Sequence, residues 1–178
     1  MRKKNEYLTT AQKVKLEKRR KFAADFLKVY PPCFVVTGLV TLFAIFMTGD
    51  FYDAFTPERG AATAGVFVIH EVLAGFLIAS TYASAEDARF PMREVLLSFA
   101  MTVITYIACL ATAKFLNVFA LPVCLAALVL TVLSNRRTSS ITSLVIVAML
   151  LVSFIRGENY PDAMLPEVIL SVVGNFAA

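Results

Sequence analysis

The chain has 178 residues, is 58% hydrophobic and only 17% charged, and carries a formal net charge of +4. A soluble domain of this size is roughly half apolar, so a chain with this much apolar surface and a mean hydropathy of +0.72 needs lipid around it. Nucleic acid is not the partner implied by the positive charge, because ten of the 17 Lys and Arg lie in the first 28 residues, directly before the first hydrophobic block. That placement is a membrane topology signal.

The apolar residues fall in blocks of about 17 to 25, which matches the thickness of the hydrocarbon core of a bilayer. In lipid every backbone polar group must be paired internally, so a spanning chain is either helical or a closed barrel. The short alternating strands of a barrel are missing from this sequence. The expected fold is therefore all-α, a polytopic transmembrane helix bundle of about six spans preceded by a basic amphipathic helix. Residues 1–32 would form the cytoplasmic tail and 33–178 the bundle.

Residues 9–29 open the chain as that amphipathic helix, with Thr9 and Gln12 as a capping box and Val14, Leu16, Phe22, Phe26 and Leu27 interrupting the basic run. Its Lys18, Arg19, Arg20 and Lys21 are candidate contacts for anionic lipid head groups. Pro31 and Pro32 are expected to end it, since proline has no amide donor and disfavours helical geometry in the residue before it. The first span is then placed at 33–49, the second at 62–83, the third at 95–114, the fourth at 117–134 and the fifth at 139–155. A sixth begins near Met164. Its 15 residues to Ala178 make it either a short helix or part of a longer chain. A cleaved signal peptide is the competing reading of the first block, but its basic leader is long and no small-x-small cleavage site precedes Asp50.

Alternate connections test the topology. With the N-terminus inside, the cytoplasmic side collects the ten N-terminal cations plus Arg89, Arg93, Arg136 and Arg137, and the outside holds Arg59, Lys114 and Arg156. The excess follows the positive-inside rule, so the N-terminus is expected in the cytoplasm. Without the tail the count is four against three, so the tail carries the inference.

His70 and Glu71 are adjacent near the middle of the second span, where an ionisable group is costly unless paired or hydrated. They are the candidate intramembrane polar site. Neighbours on a helix point about 100° apart, so the two cannot reach one common point. Either they hydrogen-bond to Ser, Thr or Tyr on other helices and fix packing, or they line a proton or cation path. Arg136 and Arg137 close the fourth block, where cations suit a helix C-terminus and anionic head groups. Glu167 after Pro166 is an ordinary first-turn acid.

Small residues in the spans, such as Gly65, Gly75, Ala79 and Ala83, allow close helix approach. Cys33, Cys109 and Cys124 are too widely spaced for a metal or disulfide framework and read as core residues. No phosphate loop, metal cluster or activated nucleophile is present, so neither catalysis nor a cofactor is implied.

From about Glu94 the order of features resembles the membrane portion of the bacterial seven-transmembrane HD-domain phosphohydrolases, which include cyclic-di-AMP phosphodiesterases. The resemblance lies in a span ending in Ala113 and Lys114 followed by NVFALPVCLAALVLTVLSNRRTSSITSLVIVAMLL. This is similar to a proline-bearing helix rich in small residues, a short turn with arginine, and a further apolar helix. The chain departs from the family twice. Only DFYDAFTPERGA separates the first two spans, where the family has a large extracytoplasmic region. The sole histidine, His70, lies in a span and cannot supply the His-Asp metal motif of the hydrolase domain. The resemblance implies a membrane anchor or signal-transmitting module without hydrolase activity. The expected function is thus a non-enzymatic module for anchoring, signalling or assembly with a protein partner or a second copy. The rival is a small oligomeric transporter or channel using Glu71 and His70.

Overall fold

The computed structural model describes residues 10–49, 53–84, 91–115, 122, 124–134 and 136–156. Among them the chain is helical throughout: α1 (Thr10–Thr48), a 3-10 turn (Asp53–Phe55), α2 (Pro57–Ser84), α3 (Pro91–Phe115), α4 (Cys124–Leu133) and α5 (Arg136–Arg156). Four of these helices are long and apolar enough to cross a membrane, over Arg19–Thr48, Arg59–Ser84, Met92–Phe115 and Arg136–Ile155. The protein is therefore a membrane protein built as a helical bundle. The hydrophobic block from Met164 and the loop bearing Arg89 lie outside the described residues.

Helix α1 corrects one expectation, because it runs unbroken through Pro31 and Pro32. The two prolines leave only the carbonyls of Leu27 and Lys28 without their usual amide partners, and membrane helices tolerate such losses where neighbours and local adjustment compensate. Both rings sit on the exposed side of the helix, clear of the packed face. Residues 10–29 are thus the first part of a long helix rather than a separate one lying on the surface. Phe22 packs against Tyr82 of α2 with ring centroids 5.0 Å apart, and Phe26 stacks on Tyr30 at 5.0 Å. The capping pair at Thr9 and Gln12 lies outside the described side chains.

Helix α2 starts five residues before the expected 62. Pro57 takes the first helical position, where a missing amide costs nothing, and the Thr56 carbonyl accepts the Gly60 amide at 2.8 Å. The Thr63 hydroxyl donates to the Ala54 carbonyl at 2.7 Å and folds the 3-10 turn back onto α2. Helix α3 also begins at a proline, with Glu94 in its first turn and Lys114 in its last, which suits the helix dipole at both ends.

Of the expected fourth span at 117–134, residues 117–121 and 123 lie outside the described residues. Its described helix begins two residues after Pro122, whose carbonyl accepts the Leu125 amide at 3.0 Å, and its 10 residues extend only about 15 Å. Only residues 134 and 135 separate it from α5, which starts three residues before the expected 139. Thr131 and Ser139 share a hydrogen bond of 3.0 Å, and Ser139 donates to the Ala127 carbonyl at 2.8 Å. α4 and α5 are therefore antiparallel neighbours.

Helix α5 packs against all four other helices, and 61% of its spanning stretch is buried against 44% or less for the other three. It is the central helix of the bundle. The outward faces carry large apolar side chains, including Phe34, Leu39 and Phe46 on α1 and Val68, Val72 and Phe76 on α2. Such a surface would be an aggregation liability in water and is the expected one in lipid.

A buried histidine hub and a half-buried glutamate

The floor of the candidate site is laid by helix register. The Thr81 and Ser98 hydroxyls meet at 3.2 Å and fix α2 against α3, and Tyr82 donates to the Asp25 carboxylate at 3.0 Å to fix α2 against α1. Ser134 donates to Glu94 at 3.1 Å and brings the end of α4 to the start of α3. At the other end of the bundle the Lys114 ammonium lies 3.4 Å from the Phe46 carbonyl and 5.1 Å from the centre of the Phe46 ring. Helix α1 therefore runs antiparallel to α2, and α3 and α5 run in the same direction as α1.

This register places His70 at the meeting point of four helices with no exposed surface. Its Nδ1 is 2.9 Å from the Thr41 hydroxyl on α1. Its Nε2 is 3.2 Å from the Met149 carbonyl and 3.3 Å from the Ser153 hydroxyl, both on α5. The Tyr106 hydroxyl on α3 bonds to Ser153, and the Tyr106 ring meets the imidazole edge-on with centroids 5.6 Å apart.

Hydrogen-bond inventory limits what this hub can do. The Thr41 hydroxyl has one proton and lies 2.8 Å from the Thr37 carbonyl, which can only accept. If Thr41 donates there, it accepts from Nδ1–H, and Nε2 accepts from Ser153, which accepts in turn from Tyr106. If Nε2–H donates to the Met149 carbonyl, Thr41 turns its proton to Nδ1 instead. Both arrangements leave the imidazole neutral and satisfied at each nitrogen. In the first, the chain of bonds ends on a backbone carbonyl rather than at water.

Glu71 leaves the hub by the rotation expected of a neighbour. Its side chain runs to α1, where a Cβ built on Gly38 would lie 4.0 Å from Oε1. Its residue surface is half-buried, yet Oε2 is enclosed and has no hydrogen-bond partner. One turn along α2, Gly75 lets Tyr30 approach so closely that an added Cβ would sit 3.4 Å from its ring. The structure thus separates His70 and Glu71 into different environments, and no described group of three His, Cys, Asp or Glu could hold a metal.

Of the candidate lipid contacts, Arg19, Arg20 and Lys21 are exposed near the start of α1, and Arg136 and Arg137 are exposed at the start of α5. The Lys18 side chain lies outside the described ones. Because α1 meets the end of α2 through Phe22 and Tyr82, and α3 meets α4 through Glu94 and Ser134, these cations and Arg93 share one end of the bundle. The partners Thr41, Tyr106 and Ser153 could not be picked from the sequence, since the spans are rich in hydroxyl residues. The usable signal was only that His70 sits mid-span and needs such partners.

No protein-family model, curated protein or solved structure matches this chain.

Proposed function

We propose that this protein is a non-enzymatic polytopic membrane module that anchors, transmits a signal or assembles with a partner. The observation that carries this reading is the His70 hub: four helices are tied to one fully buried imidazole whose bonds close on the protein itself. A rigid, dry pin of this kind suits a scaffold better than a conduit, which needs hydrated and exchangeable groups. The likeness of residues from Glu94 onward to the membrane part of HD-domain phosphohydrolases points the same way, without extending to hydrolase activity. The cationic end faces the cytoplasm of a bacterial cell and contacts anionic lipid, and the blocks at 117–134 and from Met164 complete about six spans.

One observation favours the transporter reading: Glu71 Oε2 is enclosed without a partner, as a group awaiting a cation or proton would be. Liposome flux decides between the two. Purified protein reconstituted with a pH-sensitive or cation-sensitive dye should show no flux above empty vesicles. Robust flux that Glu71→Gln abolishes, with folding intact, would replace the scaffold reading by the transporter.

A further inference from the structure

The seam between α1 and α2 carries two polar side chains that neither helix uses. Tyr30, Phe34 and Gly38 follow one another at four-residue spacing and share one face of α1, as Glu71 and Gly75 share one face of α2. These two faces meet. An added Cβ on Gly75 would sit 3.4 Å from the Tyr30 ring and 4.0 Å from its hydroxyl, and one on Gly38 would meet Glu71 Oε1 at 4.0 Å. Glu71 is also near enough to Tyr30 for its charge to act on the phenol. The carboxyl turns toward Gly38 because helical side chains lean toward their own N-terminus, which for the antiparallel α2 is the Gly38 end of the seam.

Among the described residues, none hydrogen-bonds to the Tyr30 hydroxyl or to Glu71, and none forms an ion pair with Glu71. Oε2 is enclosed, yet Glu71, Tyr30 and Gly38 are each only half-buried, so the seam opens to the lipid beside them. Phe34 stands at that opening, 50% exposed and with its ring centre 6.1 Å from that of Tyr30. An unpaired carboxylate at mid-span is costly, and a cation beside it offsets the cost. A bare metal ion is poorly served, since one carboxylate and one phenol leave most of its coordination sphere to lipid. A hydrophobic ammonium is served well, because its charge meets Glu71 while its apolar body covers the rings.

We propose that the α1–α2 seam is a binding site for a compact hydrophobic primary ammonium ion that enters from the lipid. The ammonium donates to Glu71 Oε1 in the notch left by Gly38, and the apolar body lies on Phe34 and Tyr30. His70 is committed to Thr41 and α5 and takes no part. Occupancy does not require transport, so the site is compatible with the scaffold and is tested by binding rather than by flux.

The test measures saturable binding of tritiated amantadine, a caged primary ammonium, to the full chain in detergent, with empty micelles as the blank. Unlabelled amantadine should displace the label, and its neutral isostere 1-adamantanol at equal concentration should not. Glu71→Gln should weaken binding about tenfold or more, because a charged hydrogen bond is lost. Gly38→Leu should weaken it similarly by filling the notch, and Phe34→Ala about threefold by removing apolar contact. Both variants should melt close to the original, since a Cβ at Gly38 meets no atom nearer than 4.0 Å and Phe34 is half-exposed. Absence of saturable binding above empty micelles, or equal displacement by 1-adamantanol, would overturn the proposal. Unchanged affinity in Glu71→Gln, or in Gly38→Leu and Phe34→Ala together, would overturn the placement of the site. None of these results depends on whether liposomes show flux.

Discussion

A neutral imidazole has one donor and one acceptor, and at His70 both are used across helix boundaries. Removing the ring therefore costs more than its own bonds, because Thr41 and Ser153 are left enclosed with fewer partners. His70→Leu should destabilise the protein by about 1–3 kcal/mol, which for a chain of this length lowers the melting midpoint by roughly 2–4 °C per kcal/mol. Tyr106→Phe keeps the ring contact and deletes one hydroxyl, so its cost should be nearer the ~0.6 kcal/mol average for hydrogen bonds between membrane helices. Thr41→Val and Ser153→Ala act on opposite ring nitrogens of one network, so their costs should be non-additive in a double-mutant cycle. Strict additivity would show that the hub is two independent contacts. The sequence made His70 conspicuous but not its partners, because the choice among the many hydroxyl residues of the spans depends on helix register, which is set by contacts far apart in the chain.

The existence of each span was legible in the apolar blocks, but helix starts were not: α2 and α3 begin at Pro57 and Pro91, five and four residues before the expected 62 and 95, because a proline at the first position loses nothing and lets polar residues join the first turns. At Pro31 and Pro32 the same residue type met the opposite influence, a long apolar run whose packing on α2 outweighs two lost backbone bonds. The aromatic row Phe22, Phe26, Tyr30 and Phe34 runs along α1 across both prolines, with centroid separations of 5.0–6.1 Å between successive rings, and keeps the helix in one piece. This assigns a sign to the proline substitutions. Pro31→Ala and Pro32→Ala restore amide donors for Leu27 and Lys28 and remove a helix penalty of up to ~3 kcal/mol, partly offset by adjustments already made around the prolines. Each should raise the melting midpoint. A fall would mean that the prolines impose a bend on which the packing of Phe22 against Tyr82 depends.

At the scale of the molecule, the sequence told membrane from water and helix from barrel, because lipid imposes those choices through composition alone. It did not reveal that α5 is the central helix, since burial inside a bundle and exposure to lipid both select apolar side chains. Orientation rests on charge. Arg19, Arg20, Lys21, Arg93, Arg136 and Arg137 are exposed at one end of the bundle, while Lys114 at the other end is partly committed to Phe46. An end rich in cations resists transfer across the membrane and is attracted to the anionic inner leaflet, so it should remain cytoplasmic. Antiparallel α1 and α2, with α5 parallel to α1, then put the start of α1 and residue 137 on the same side and residue 53 on the other. Single cysteines at Asn5, Asp53 and Arg137, in a background lacking Cys33, Cys109 and Cys124, can be probed with an impermeant maleimide on intact and inverted vesicles. Asn5→Cys and Arg137→Cys should react only in inverted vesicles and Asp53→Cys only in intact ones. Reaction of Asn5→Cys and Asp53→Cys from one face would break the assignment of α1 as a full span. The reverse pattern at all three sites would keep the bundle and invert it, and would mean that the six exposed arginines and lysines do not set the direction of insertion.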